Sequence, residues 1–111
     1  VGDASITGVP GELYPEIAVG GIENPVGADY VIAPQEVPHL RSQFPDTLNL
    51  MVNLANDAIG YIIPKSEWDE DAPWIYGENE ETYGEVVSLG PNTAPIIYEN
   101  LVKLIEESKN K

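Results

Sequence analysis

Three polar side chains stand where an apolar segment of the sequence gives way to a loop. The run from Leu48 to Pro64 begins as a nearly continuous apolar stretch, which predicts a strand covered on both faces, and it turns polar at Asn56 and Asp57. Ligands in open α/β sheets bind at the carboxyl ends of strands, so Asn56, Asp57 and the following Tyr61 are predicted to line a site. On position alone the structural interpretation of these residues is favoured, because Asn and Asp form turns and a Tyr among apolar neighbours is often core.

Glu12 is a second candidate, because it directly follows a short strand-like segment, Ala4 to Val9, and the break at Pro10 and Gly11. A carboxylate in that position can bind zinc or a hard metal ion. An acid is also favoured in the first turn of a helix, and residues 12–19 have the apolar spacing of a short helix. On position alone, the structural interpretation of Glu12 is favoured.

Other constellations that could carry chemistry are not indicated. Ser5 lies early in a strand and the single histidine, His39, lies in a proline-rich segment, so a serine nucleophile with a histidine base is rejected. The acidic stretch 67–85, with interleaved tryptophans and tyrosines, lacks the ligand spacing of a calcium-binding EF-hand loop. It is therefore predicted to be a solvated, partly packed loop.

The composition limits the class of protein and its partners. A chain of 111 residues forms one domain, here residues 1–111, and its formal charge of -14 opposes nucleic acid and anionic membrane surfaces. With no cysteine, disulfides and thiolate metal sites are excluded. Because no apolar run approaches the roughly 20 residues that span a bilayer, no stable membrane insertion is predicted. Self-association into a homo-oligomer is left open.

Strands and helices that would position the candidates follow from the pattern. Prolines at 25, 34, 38 and 45 predict an irregular excursion over residues 22–46, and residues 61–64 form a second extended piece. A final helix begins at Asn92 or Thr93, with its apolar face at Ile97, Leu101, Leu104 and Ile105. The predicted fold class is α/β, a small sheet in which the two main strands, at Ala4 and at Leu48, are neighbours and the final helix packs on a face.

Four motifs of the chain resemble neutral/alkaline ceramidases and their microbial relatives, in order and in character. They are Gly2-Asp-Ala-Ser-Ile-Thr-Gly-Val-Pro-Gly-Glu12, Leu54-Ala-Asn-Asp-Ala-Ile-Gly-Tyr-Ile-Ile-Pro64, Tyr83-Gly, and Gly90-Pro-Asn-Thr93. The resemblance covers the C-terminal part of that family's catalytic domain. It implies a zinc-dependent amide hydrolase that splits ceramide or a related N-acyl lipid.

By the same resemblance, two upstream histidines, a glutamate after a Pro-Gly turn and a tyrosine hold the zinc. The last two fall on Glu12 and Tyr61 here. Because His39 is the only histidine of the chain, the ligand set is incomplete. The resemblance thus implies a fragment of a larger α/β catalytic domain, inactive alone, whose partners are the upstream part of that domain and a lipid-like substrate. The alternative is a non-catalytic acidic interaction or structural domain, in which the 22–46 and 67–85 loops contact a protein partner.

Overall fold

The computed structural model describes residues 3–45 and 48–110, in a mixed α/β arrangement. Gly2, at the start of the first motif, and Asp46, at the end of the irregular excursion, lie outside these residues. The elements, in chain order, are β1 (Ala4–Gly8), β2 (Glu12–Leu13), α1 (Pro15–Val19), β3 (Leu48–Val52), β4 (Tyr61–Ile62), α2 (Tyr83–Val86) and α3 (Thr93–Lys109). Three short 3₁₀ helices lie in the connections, at Leu40–Gln43, Lys65–Glu67 and Ile75–Gly77.

Two pairs of strands, each pair parallel, form a ribbon against which the rest of the chain packs. β1 pairs with β3 from Ala4↔Leu48 to Gly8↔Val52, and β2 pairs with β4 at Glu12↔Tyr61. Backbone hydrogen bonds bridge the gap between the pairs, for example from the Glu12 N–H to the Gly60 carbonyl at 2.9 Å. The two strand segments predicted to be neighbours are therefore adjacent and parallel.

The prediction that the Leu48 strand is covered on both faces is wrong. Leu48, Leu50 and Val52 are 53%, 50% and 47% exposed, while the alternate residues Asn49 and Met51 point toward the protein. An unbroken apolar run records that both faces are apolar, but it does not record whether both are covered. The strand also ends at Val52 rather than at Asn56, because the chain turns away through residues with positive φ angles.

The predicted helix over residues 12–19 begins three residues later than expected. Glu12 lies in β2, so the interpretation of Glu12 as a residue of a first helical turn is wrong. Pro15 stands at the start of α1, where its fixed φ angle is suited to the first turn and its missing N–H is not needed. Glu12 thus faces the partner strand instead of capping a helix.

Helix α3 covers the inner side of the ribbon, as predicted, and closes the core. Its buried residues recur at helical spacing: Ala94, Tyr98, Leu101 and Ile105. Ile97 packs partly against them, but Leu104 is 61% exposed, so its predicted place on the buried face is wrong. Viewed down the helix axis, residue 104 lies to one side of the buried stripe formed by residues 94, 98, 101 and 105. The helix packs on a cluster formed by Val9, Leu13, Ile17, Leu40 and Ile62.

The irregular excursion and the acidic stretch are bound to each other. The Asp29 carboxylate accepts the backbone N–H groups of Glu70 and Asp71, and the fully buried Glu36 and Asp69 carboxylates accept the first N–H groups of two 3₁₀ helices. The Glu36 and Asp69 carboxylates thus accept backbone N–H groups that have no hydrogen-bond partner within a short helix. Among the described residues, no helix is long and apolar enough to cross a membrane.

Candidate functional site

Glu12 and Tyr61, far apart in the sequence, occupy one register position of the parallel ribbon. Residues paired in register on adjacent strands present their side chains on the same face. The next pair, Leu13 and Ile62, is buried on the other face, so Glu12 and Tyr61 lie on the more open one. The raised pKa of Tyr61 reflects hydrogen bonding of its hydroxyl with the Glu12 carboxylate.

This hydrogen bond gives the pair a defined protonation state. It is the main cause that raises the pKa of the Tyr61 phenol above its usual value, followed by the negative charge of Glu12. Burial and Tyr83 raise the pKa of Tyr61 further. At neutral pH the Tyr61 phenol therefore keeps its proton.

The backbone of Tyr61 is held by the chain that follows α2. Its N–H donates to the Val87 carbonyl at 3.0 Å, and its carbonyl accepts the Ser88 hydroxyl at 2.7 Å. Gly60 precedes it with a φ of 91°, and a Cβ at that position would collide with the Val87 carbonyl oxygen. A side chain at residue 60 would therefore displace Tyr61 from its register with Glu12.

Two further tyrosines flank the pair, and sequence reasoning did not single them out as site residues. The Tyr14 and Tyr83 rings pack edge-to-face on Tyr61, with centroids 6.1 and 6.0 Å away. Burial, with the charges of Glu85 and Glu16, raises the pKa of Tyr14 to about 12, so this phenol is neutral in the physiological range. Such ring contacts contribute roughly 0.5–1.5 kcal/mol beyond burial and fix the orientation of Tyr61. Tyr14 follows Glu12 by two residues, at the end of the same strand. This spacing could have identified it from the sequence as a neighbour of the site.

The side chains of the remaining candidate residues are exposed or form hydrogen bonds within the surrounding structure. Asn56 and Asp57 are exposed, and the Asp57 carboxylate accepts the N–H of its neighbour Ala58 at 2.8 Å. That they line the site stays a prediction. His39 begins the 3₁₀ helix Leu40–Gln43, where its Nδ1 accepts the Ser42 N–H at 3.3 Å, and Ser5 accepts the Asn49 side-chain amide.

The donor set of the pair suits part of a zinc site. A carboxylate oxygen and a phenol oxygen on the same face of two paired strands can serve as two of the four ligands of a catalytic zinc, for which Glu is a common ligand. Within residues 3–45 and 48–110, no group of three or more His, Cys, Asp or Glu is arranged to hold a metal ion.

The fold and the site together define a small mixed α/β domain with a carboxylate and phenol pair set by strand register. No family model matches the chain, and no curated protein or solved structure matches it. Its function is therefore argued from the residues and from their geometry.

Proposed function

We propose that this chain provides half of the zinc site of an amide hydrolase that acts on ceramide or a related N-acyl lipid. Glu12 and Tyr61 are two of its metal ligands, and two histidines from another part of the same catalytic domain are the others. The observation that carries the proposal is the pairing of Glu12 with Tyr61 in one register position, which places their side chains on one face of the ribbon. The motif resemblance selects the same two residues without reference to their contact.

The side chains of the pair divide the work at such a site. Glu12 supplies the anionic ligand, and the hydrogen bond from Tyr61 orients its carboxylate, as outer partners of metal ligands commonly do. Tyr61 keeps its proton at neutral pH and is therefore a weak fourth ligand that leaves room for water. Zinc, when bound there, would lower the pKa of water and polarise the amide carbonyl.

An exposed apolar row on the ribbon supports the presence of a further part of the domain. Ile6 and Leu50 pair in register and are 69% and 50% exposed, and their neighbours Leu48 and Val52 continue the row. Parallel sheets in α/β proteins are normally covered on both faces. We propose that the part of the domain that carries the two histidines packs on this row.

The proposal implies a longer protein that contains this chain, and the test uses that protein with Glu12→Gln and Tyr61→Phe. Zinc content is measured by elemental analysis, and hydrolysis by fatty-acid release from N-acyl sphingosine. We expect Glu12→Gln to lose zinc and to lower activity at least about 100-fold, in line with the loss of a metal ligand or its partner. Glu78→Gln, an exposed glutamate, and Tyr83→Phe, which keeps the stacked ring, are the matched controls. Unchanged zinc in both test variants would remove the pair as ligands.

A second measurement uses the 111-residue chain alone. Two ligands without the histidines hold zinc feebly, so the isolated chain is expected to retain no stoichiometric zinc and to hydrolyse no N-acyl sphingosine. If it did both, the site would be complete within this chain and the shared-site proposal would fail. If the longer protein bound no zinc but bound a protein through the 22–46 and 67–85 loops, the alternative of an acidic interaction domain would replace the hydrolase.

A further inference from the structure

A cavity of about 230 Å³ lies behind the aromatic flank of the Glu12 and Tyr61 pair. Four glutamates from four separate segments line it: Glu16 of α1, Glu23 of the irregular excursion, Glu67 of a 3₁₀ helix and Glu85 of α2. The other lining residues are Tyr14, Gly21, Ile75, Tyr76 and Thr82. No lysine, arginine or histidine is among them, so the negative charges of the cavity have no basic partner in its wall.

Glu23 joins the irregular excursion to the turn at Lys65–Glu67. Its N–H donates to the Glu67 carboxylate at 2.9 Å, and its carbonyl accepts the Ser66 hydroxyl at 2.8 Å. The Glu23 carboxylate in turn accepts the Tyr76 hydroxyl. Three hydrogen bonds thus hold this part of the excursion at the mouth of the cavity, and one of them ends on Glu67.

Glu67 stands among like charges. Glu16, Glu23 and Glu85 line the same cavity, and Glu36 acts on it from the excursion. One buried carboxylate oxygen of Glu16 and one of Glu85 have no hydrogen-bond partner. Lys65, two residues before Glu67, is turned away toward Asn92 and the Tyr30 ring.

We propose that this carboxylate cavity is a proton-operated latch, in which a proton on Glu67 holds residues 22–36 on the turn at Lys65–Glu67. A protonated Glu67 still accepts the Glu23 N–H through one oxygen, and its other oxygen gains an O–H donor for a neighbouring carboxylate. The buried, unpartnered oxygen of Glu16 lies in the same cavity. When Glu67 releases the proton to solvent, this donor is lost and the carboxylates repel each other, so the contact loosens.

The protonation equilibrium agrees with this geometry. Burial, with the charges of Glu16, Glu23 and Glu36, raises the pKa of Glu67 to about 7, although the hydrogen bond from Glu23 acts in the opposite direction. An acid whose pKa is raised in the folded state stabilises it fully below the ordinary value of 4.5 and loses that contribution as the pH rises through about 7. The latch is therefore closed in mild acid and loosened above neutral pH.

The latch also touches the aromatic flank. Tyr14 lines the cavity and packs on Tyr61, and the short helix α2 carries both Glu85 in the cavity and Tyr83 on Tyr61. Opening the cavity should therefore change the packing around Tyr61. This inference does not depend on zinc or on hydrolysis.

The test follows the Glu23 amide by hydrogen exchange in the chain, between about pH 4 and pH 8, a range that spans the ordinary glutamate pKa of 4.5 and the raised pKa of Glu67, about 7. Protection is expressed relative to the intrinsic exchange rate at each pH. We expect the protection factor of the Glu23 amide to fall roughly tenfold across this range, as a local opening does, while amides of α3 keep theirs. Carboxyl carbon shifts of Glu67 should titrate with a midpoint near 7.

Two variants make the outcome decisive. Glu67→Gln keeps the acceptor for the Glu23 N–H but cannot ionise, so it should abolish the pH dependence of Glu23 protection, whereas the exposed control Glu78→Gln should retain it. If Glu67→Gln does not fold, Glu16→Gln serves instead, and the Glu67 midpoint should move toward lower pH. A pH-independent Glu23 protection in the unmodified chain, or the same pH dependence in Glu67→Gln, would overturn the latch.

Discussion

Two carboxylate sites lie on either side of Tyr14 and differ in how their charge is satisfied. On one side, a single glutamate, Glu12, pairs in register with Tyr61 on the neighbouring strand. On the other, four glutamates surround one cavity without a basic residue in its wall. The first arrangement raises the pKa of a phenol, that of Tyr61, whereas the second raises the pKa of a carboxyl group, that of Glu67.

The number of acidic residues in a segment is therefore a poor guide to where a functional site lies. The acidic stretch 67–85 holds most of the chain's clustered carboxylates, yet several of them serve the fold, such as the buried Asp69 that accepts an Ile75 N–H. Glu12 stands alone in the sequence and gains its importance from strand register. Three substitutions separate these roles.

The largest effect is expected where Tyr61 is positioned. Gly60→Ala places a Cβ against the Val87 carbonyl and forces a positive φ on an L residue. Gly21→Ala is the matched control, because Gly21 also has a positive φ, 104°, but has no atom within 4 Å of the added Cβ. The free energy of unfolding, measured in urea, should fall by about 1–3 kcal/mol in the control and by roughly 2 kcal/mol more at Gly60. Equal losses in both variants would mean that the contact with Val87 does not constrain the ribbon.

A smaller effect is expected from the structural carboxylate. Asp69→Ala leaves the buried Ile75 N–H without its acceptor and should lower the free energy of unfolding by about 1–3 kcal/mol. Asp71→Ala, at an exposed position two residues away, should stay within about 0.5 kcal/mol. Asp69→Asn keeps an acceptor for this N–H and should recover most of the loss. An Asp69→Ala protein as stable as Asp71→Ala would show that the 67–85 stretch tolerates the broken hydrogen bond.

The smallest effect is a shift in titration. Glu12→Gln removes the charge and the carboxylate acceptor that raise the pKa of Tyr61, so the Tyr61 phenol should ionise at lower pH than in the unmodified chain. The stabilisation from this raised pKa is complete below the ordinary value of 10.0 and is lost as the pH rises through the raised one. Ring carbon shifts of Tyr61 followed by NMR above neutral pH measure this change. A Tyr61 titration that does not move would mean that the hydrogen bond to Glu12 is absent in solution, whereas Glu85→Gln should leave the Tyr61 titration in place.

Local patterns were a good guide to elements whose signals are local. Helix α3 was predicted with its start at Asn92 or Thr93, because an amphipathic period and a turn sequence depend only on nearby residues. The strand positions at Ala4 and Leu48, and their adjacency, were also predicted. The boundary of α1 was wrong, because pairing of Glu12 with β4 competes with helix formation and involves residues far along the chain.

The candidate site could be named from the sequence but not assembled from it. The residue types and the turn at Pro10 and Gly11 make Glu12 and Tyr61 candidates, and the motif resemblance alone selects them as ligands. Their shared register position, the flanking rings of Tyr14 and Tyr83, and the clash that requires glycine at residue 60 depend on contacts between distant segments. The four glutamates of the cavity likewise come from separate segments that no local pattern relates.

The sequence by itself determined the α/β class, the terminal helix, the strong negative charge and the identity of the two candidate ligands. Only the tertiary structure decided that Glu12 and Tyr61 share a register position and that the Leu48 strand leaves one apolar row exposed. The physical reason is that periodicity and turn residues act over a few neighbouring positions, whereas strand register, burial and pKa depend on which distant segments the whole fold brings into contact.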